Sequence, residues 1–266
     1  MNSDKTNPRL AVLIDADNTF SIIEKMEALF EEISQYGDAS VRRIYGDWTD
    51  HRLNRWKEHL PQHAIQPIQQ YANTRGKNAT DSALIIDAMD LLYTAPLEGF
   101  CIISSDSDFT RLAIRLREAG KLVYGFGEAK TPNSLIKACN KFIYVEILSQ
   151  QAEEPEDQSV EAGIHATEPQ LIPAAPGKVP TPGVKKTSKE LASDARLVSN
   201  ARSAIMAISD EDGFAHLGEV KKQMVKNFPA FDSRNYGYSK FSELIKAIGL
   251  FEVDAQKQRI KDKRKK

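Results

Sequence analysis

The sequence predicts an α/β domain with a mostly parallel sheet, then a flexible linker and a small helical domain ending in a hairpin. Three observations predict this arrangement. Short apolar runs of strand length alternate with amphipathic segments over residues 8–148. A proline-rich stretch follows, and helical spacing resumes near residue 195. Continuous apolar strands between amphipathic helices indicate a sheet that is covered on both faces.

The elements expected in the first domain alternate along the chain. Strands are expected at residues 9–14, 41–45, 65–70, 100–103, 122–126 and 142–146. Helices are expected at residues 22–33, 50–60, 80–93, 109–119 and 133–139. Gly37 is expected to cap the first helix, and the second is expected to end before Pro61. Pro67 favours an edge position for the third strand, because proline has no backbone N–H to donate.

Composition limits the classes of protein to consider. Hydrophobic residues make up 41% of the 266-residue chain, which is enough for a folded core. No apolar run approaches the roughly 18 residues of a membrane helix, and the polar amino terminus lacks a secretory signal. Two cysteines are too few for a disulfide framework. A cytoplasmic protein without membrane contact is therefore expected.

Proline and charge divide the chain. Residues 149–192 contain six of the twelve prolines and little periodic apolar content, so a flexible linker is predicted there. The net charge is −3 for residues 1–148, −5 for 149–184 and +7 for 185–266. A basic carboxy-terminal part indicates contact with nucleic acid.

Aspartates follow two of the predicted strands. Asp15 comes directly after the first strand, and Asp106 and Asp108 follow the strand at 100–103. Ligands of open α/β sheets bind beyond the carboxyl ends of the strands. Asp81 lies on the apolar face of the first turn of its helix, where a carboxylate is costly unless it is paired or metal-bound. If the two strands are neighbours, Mg²⁺ or Mn²⁺ fits this oxygen-only set.

Other interpretations of these carboxylates stay open. Any one aspartate after a strand is equally compatible with a helix N-cap or a turn. Asp17 is a doubtful member of the set, and Asp87 is expected on another face of its helix. The segment from Leu13 to Thr19 also resembles the first motif of haloacid-dehalogenase-type phosphatases, in which Asp15 would be the nucleophile.

Three motifs resemble those of NYN domains, the PIN-like nucleases. They are LIDADN at 13–18, KNATD at 77–81 and SSDSDF at 104–109, and GFG at 125–127 with TPNSL at 131–135 resembles the end of that domain. Ser105 stands where glycine is usual. The resemblance covers residues 8–148 and implies a metal-dependent endoribonuclease. The metal ligands that it implies are Asp15, Asp81, Asp106 and Asp108, with Asn18 as a supporting catalytic residue.

Basic and aromatic side chains near the motifs are candidates for RNA contact. Arg75 and Lys77 precede Asp81 in a glycine-containing loop, where they would hold backbone phosphates. An ordinary solvated loop is an equal alternative. Trp48, Trp56 and Tyr71 are candidates for base stacking, although packing is expected for at least one of them.

Residues 195–255 show three helical segments and a terminal hairpin, which is a winged-helix arrangement. The segments GFAHLG at 213–218 and PAFDSRNYGYSKF at 229–241 resemble OST-HTH (LOTUS) domains. The resemblance implies an RNA-binding module, and some members bind protein partners instead. The positive surface is expected to come from Lys221, Lys222, Lys226, Arg234, Lys240 and the tail.

The whole chain is therefore predicted to be a two-domain RNA-processing protein. The expected parts are a PIN-like nuclease domain at 8–148, a linker at 149–192, a winged helix at 193–256 and a basic tail at 257–266. The expected activity is Mg²⁺- or Mn²⁺-dependent hydrolysis of RNA. The main alternative is a catalytically inactive RNA-binding scaffold, with the phosphatase as a less favoured enzyme.

Overall fold

A computed structural model describes residues 7–71, 79–148, 183–254 and 258–264 of the chain. The first domain contains six strands: β1 (Arg9–Asp15), β2 (Asp38–Gly46), β3 (Gln66–Gln69), β4 (Gly99–Ile103), β5 (Leu122–Gly127) and β6 (Lys141–Tyr144). They form one sheet in the order β3-β2-β1-β4-β5-β6, and every neighbouring pair is parallel. The predicted parallel α/β fold is confirmed, and β3 with Pro67 lies at its edge.

Helices cover both faces of this sheet. They are α1 (Met26–Ser34), α2 (His59–Gln62), α3 (Ala79–Thr94), α4 (Thr110–Glu118) and α5 (Asn133–Ala138). Along β1, Ala11 and Leu13 pack in the core beneath α3, α4 and α5. Val12 and Ile14 pack in the second core, beneath α1 and α2. Because both faces are buried, the strand is apolar at every position rather than alternating.

Two details of the first domain differ from the sequence predictions. Gly37 does not cap α1; a Cβ atom there would lie 2.2 Å from the carbonyl oxygen of Pro8, so glycine permits a close approach of backbone. The expected helix at 50–60 is instead a 3₁₀ helix, His51–Trp56, followed by α2. Pro61 lies inside α2, where the early helical positions need no backbone N–H donor.

The second domain is a winged helix. Its helices are α6 (Ser188–Ser193), α7 (Ala195–Ile208), α8 (Leu217–Asn227) and α9 (Phe241–Ile248). Its strands are β7 (Ala215–His216), β8 (Phe251–Asp254) and β9 (Arg259–Asp262), paired antiparallel in the order β7-β9-β8. The hairpin predicted between 251–253 and 259–261 is therefore confirmed.

The helix α6 corrects the end of the predicted linker. The side chain of Thr187 accepts a hydrogen bond from Glu190 N–H, and the Glu190 carboxylate accepts from Thr187 N–H, which makes a capping box. Leu191 is fully buried in the core of the winged helix. A local start signal and one apolar anchor thus fold residues that proline content alone assigned to the linker. Residues 149–182 lie outside the described part.

The two domains are in direct contact, which corrects the expectation of a purely flexible attachment. The guanidinium of Arg234 donates to both carboxylate oxygens of Glu32 in α1, at 2.8 and 3.1 Å. The backbone N–H of Phe142 in β6 donates to the carbonyl oxygen of Pro229 at 2.9 Å. Ala230 is fully buried in the core of the first domain. Within the described residues, no helix combines the length and the apolar character needed to span a bilayer.

Candidate metal centre

The carboxyl edge of the sheet brings together acidic residues from three separate stretches of chain. Strands β1 and β4 are neighbours, and Ile14 pairs with Ile103, so the segments that follow them leave the sheet side by side. Asp15 is the last residue of β1, and Asp106 lies three residues beyond the end of β4. Asp81 lies in the first turn of α3, which packs on β1 and β2. The central juxtaposition that the sequence predicted is present.

Three carboxylates form a compact group at this edge. One carboxylate oxygen from each of Asp81, Asp106 and Asp108 lies within 4.8 Å of the other two. Asp81 and Asp106 are half-buried, and Asp108 is exposed. Like charges at this spacing repel one another, and a divalent cation removes the repulsion. An oxygen-only donor set with no thiolate or imidazole suits Mg²⁺ or Mn²⁺.

Asp15 lies beside this group in a different environment. Its side chain is 1% exposed, and its Oδ2 accepts hydrogen bonds from Asn18 Nδ2 and Ser104 Oγ, each at 2.8 Å. Its other oxygen, Oδ1, is buried and accepts no well-formed hydrogen bond from the described residues, although the backbone N–H of Asp17 acts on the same carboxyl and lowers its pKa. Burial raises the pKa of this carboxyl, and the two hydrogen bonds offset part of the increase. A buried carboxylate oxygen without a donor fits a position next to a cation.

Electrostatics link Asp15 to the other three carboxylates. Partial burial raises the pKa of Asp81 to about 6, and the negative charges of Asp15 and Asp106 add to the increase. Asp15 is not one of the three residues that share the 4.8 Å spacing, but it is the largest charge acting on Asp81. The four carboxylates predicted as metal ligands therefore share one electrostatic field. Perturbation by burial together with specific charges is typical of functional sites.

Ser104 joins the two strand ends and has no role in the sequence-based prediction. Its hydroxyl donates to Asp15 Oδ2 and accepts from the backbone N–H of Asp106 at 3.0 Å. Ser104 itself is fully buried. One side chain thus fixes the orientation of Asp15 and the start of the loop that carries Asp106. Its place as the first residue of the motif at 104–109 is the signal in the sequence that could have indicated this role.

The structure also shows the surroundings of Asp87, Asp17 and Trp56. Asp87 lies outside the acidic group, as expected, because its carboxylate accepts hydrogen bonds from Arg43 at 2.5 Å and from the Tyr45 hydroxyl. Asp17 is half-buried and is not part of the three-carboxylate group; burial raises its pKa, and the charge of Arg52 opposes that increase. Trp56 is fully buried and its indole donates to the Ala16 carbonyl, so it serves the core rather than base stacking.

The predicted RNA contacts have different outcomes. Arg75 and Lys77 lie outside the described residues. Lys221, Lys222 and Lys240 are exposed on the winged helix. Arg234 is corrected: its guanidinium is bound by both Glu32 and Asp232, and its side chain is only 22% exposed. That arginine joins the two domains instead of contributing to an open positive surface.

Comparison with known proteins agrees with this geometry. The NYN domain model matches residues 9–148, and the OST-HTH/LOTUS domain model matches residues 193–260. The two matches together support an RNA-related nuclease with an attached binding module. The chain belongs to the NYN domain family and carries an OST-HTH/LOTUS domain after it.

No curated protein sequence matches the chain. A crystal structure of a protein of unknown function from Vibrio parahaemolyticus is similar over 54% of this chain and 96% of its own, with 17% identity and a TM-score of 0.45.

Proposed function

We propose that this protein is a Mg²⁺- or Mn²⁺-dependent endoribonuclease whose winged helix binds the RNA substrate. The observation that carries the proposal is the compact group formed by Asp81, Asp106 and Asp108, beside which the buried Oδ1 of Asp15 accepts no well-formed hydrogen bond from the described residues. A turn or N-cap role explains one aspartate, but it does not explain four that share one field at the edge of the sheet. Binding of a cation would satisfy all of them.

Each residue has a distinct part in the proposed reaction. Asp81, Asp106 and Asp108 would hold the cation, and Asp15 would complete its coordination from the buried side. A divalent cation in such a site polarises a phosphoryl oxygen and lowers the pKa of a bound water. Asn18 and Ser104 would keep Asp15 ionised and oriented, because both donate to its Oδ2. Orientation of a ligand by such partners tunes metal affinity.

The second domain would capture the RNA strand. OST-HTH/LOTUS domains are RNA-binding modules, and the part of the chain from residue 185 carries a net charge of +7. We expect the protein to act in the cytoplasm. Cys101 and Cys139 are free and buried, which suits a reducing compartment.

A cleavage assay tests the proposal. Labelled single-stranded RNA is incubated with the purified protein in Mn²⁺, Mg²⁺ or EDTA, and products are resolved on a denaturing gel. We expect metal-dependent internal cleavage and a loss of about 100-fold or more in rate for Asp106→Asn, because a metal ligand contributes several kcal/mol. The matched control is Asp90→Asn, which removes an exposed aspartate from α3.

Four outcomes would contradict the proposal. Cleavage that persists in EDTA, or that Asp106→Asn leaves unchanged, would point to a contaminating nuclease. RNA binding without any cleavage would favour the scaffold alternative. Hydrolysis of a small phosphate ester with a trapped acyl-phosphate on Asp15 would favour the phosphatase chemistry.

A further inference from the structure

A basic cleft lies between the two domains. Its volume is about 590 Å³, within the range of ligand-binding clefts. Arg117 and Lys137 line it from the first domain, and Lys222 and Lys226 line it from the winged helix. None of the residues that line it is acidic. Four cations from two separately folded parts of the chain therefore face one space.

The domain contacts hold the two walls of the cleft at a fixed separation. Pro229 lines the cleft, and its carbonyl oxygen accepts the hydrogen bond from Phe142 N–H. The ion pair between Arg234 and Glu32 secures the same interface in a buried setting. Because neither wall can swing away while these contacts hold, the cations are organised before any ligand arrives. Such organisation reduces the entropy cost of binding.

The positive charge of the cleft is largely uncompensated. Neither Lys137 nor Lys226 makes an ion pair with any described residue, and both are exposed to solvent. Within the described part of the chain, Lys222 pairs with Glu219 alone, at 2.8 Å and at an exposed position where such pairs contribute little. The Arg117 guanidinium is oriented by the carbonyl oxygens of Lys137 and Ala138, at 3.3 and 3.2 Å. A cluster of four cations with a single exposed acidic partner favours an anionic ligand.

The cleft is separate from the candidate metal centre. Asn140, which lines it, exchanges hydrogen bonds with the backbone of Val123, near the amino end of β5. The acidic group lies at the opposite, carboxyl edge of the parallel sheet. The helix α4 runs between the two edges, from Thr110 near the acidic group to the last turn that carries Arg117, and the rise from Thr110 to Glu118 is about 12 Å. A ligand that reached both places would have to be an extended chain.

We propose that this cleft binds the phosphodiester backbone of an RNA strand whose neighbouring segment reaches the acidic edge. The inference rests on the proposed function only in taking RNA as the substrate. Lysine and arginine contacts to phosphates supply affinity without base preference and make binding dependent on salt. Two walls from different domains would position the strand on the nuclease domain, which the winged helix alone cannot do.

A charge-matched pair of variants tests the proposal. The cleft variant is Lys137→Gln with Lys226→Gln; the control is Lys57→Gln with Lys246→Gln, which removes one exposed lysine from each domain outside the cleft. The probe is a fluorescein-labelled, 2′-O-methyl single-stranded RNA, and anisotropy is measured in EDTA at several KCl concentrations. For the cleft variant, we expect affinity about tenfold lower and a salt slope reduced by about 1.4, from two lost phosphate contacts. The control should keep a slope close to that of the unmodified protein.

The outcomes separate this proposal from the proposed activity. Equal salt slopes for the two variants would overturn the cleft proposal, whether or not the protein cleaves RNA. If the cleft variant binds RNA more weakly but the protein cleaves no RNA, the cleft proposal stands and the proposed nuclease activity is contradicted. Inorganic pyrophosphate and poly-glutamate are tested as competitors. The cleft proposal would be contradicted if the cleft variant bound RNA normally but no longer bound one of these competitors. Loss of pyrophosphate binding would then indicate a site for a small anion, and loss of poly-glutamate binding would indicate a site for an acidic protein.

Discussion

At the scale of single residues, the acidic edge combines carboxylates in different environments. Asp15 is buried and held by Asn18 and Ser104, whereas Asp108 is exposed. Asp81 lies between these extremes and is influenced by the others, which is why its pKa rises to about 6. Carboxylates crowded in this way destabilise the fold unless a ligand of opposite charge binds among them, so such a group indicates a binding site. The pKa of Asp81 therefore reports the negative charge gathered at this edge.

Asp81→Asn should stabilise the metal-free protein at pH 7. The folded-state pKa of Asp81 is raised above 3.8, so its favourable contribution is fully present below that value and is lost as the pH rises through about 6. At pH 7 the ionised carboxylate opposes folding. Removing its charge should add roughly 1 kcal/mol, a figure reduced because the side chain is partly exposed.

Chemical denaturation in EDTA at pH 4.5 and pH 7 measures this effect. The gain from Asp81→Asn should shrink at the lower pH, where the native carboxyl is mostly protonated. Asp90→Asn, on the exposed face of the same helix, should change stability by less than about 0.5 kcal/mol at either pH. A gain for Asp81→Asn that is independent of pH would show that charge repulsion is not its cause.

At the scale of elements, close packing against a glycine determines how β5 and β6 lie together at one edge of the sheet. Gly125 lies in β5, and a Cβ atom there would be 2.4 Å from the ring of Phe142 and 2.8 Å from Cys139 Sγ. The strand can pair with β6 at this point only because that position has no side chain. This glycine therefore determines how β6 lies against the sheet, and β6 in turn carries the hydrogen bond to Pro229.

Gly125→Ala should destabilise the protein by about 2 kcal/mol, because the added methyl group overpacks the core against an aromatic ring and a thiol. Equilibrium unfolding in urea measures the change. The control is Gly120→Asn after α4, where φ is +77° and no other heavy atom lies within 4 Å of the added Cβ. Asparagine tolerates this conformation, so its cost should stay below about 1 kcal/mol. Equal costs for the two variants would contradict the packing argument.

At the scale of the whole molecule, the two domains are docked rather than only connected. Glu32 accepts from Arg234 and from the Tyr36 hydroxyl, and its pKa is lowered because these hydrogen bonds outweigh the desolvation of the carboxylate. The pKa of Asp232, on the winged helix, is also lowered, because the hydrogen bonds and charge of the same guanidinium outweigh the effect of burial. Removing the second domain would take the guanidinium of Arg234 from Glu32 and expose the apolar surface that Ala230 covers. Point variants are therefore a cleaner means than truncation of separating the roles of the two domains.

Arg234→Met should destabilise the full-length protein by about 3 kcal/mol, since it leaves the buried Glu32 carboxylate without its cation. Denaturant unfolding measures the loss, and small-angle scattering measures the expected increase in particle size as the domains separate. Adding Glu32→Gln should recover part of the stability by removing the stranded charge.

The control for this variant is Arg264→Met, because the Arg264 side chain is 66% exposed and its partner Asp262, 3.9 Å away, also pairs with Arg202. That change should cost less than about 1 kcal/mol. If Arg234→Met behaved like this control and the scattering profile did not change, the ion pair would not hold the domains together.

The parallel sheet and the succession of its elements along the chain could be predicted from the sequence, whereas the adjacency of β1 and β4, which brings the aspartates together, came from the structure. Continuous apolar strands can only be buried on both faces, and aspartates that directly follow neighbouring parallel strands must meet at one edge. Three features are visible only in the folded chain: Oδ1 of Asp15 accepts no well-formed hydrogen bond from the described residues, Trp56 is buried in the core, and Arg234 binds Glu32. The basic cleft also exists only in the docked molecule. Periodicity reports which face of an element is buried, but it does not encode which distant surface covers that face.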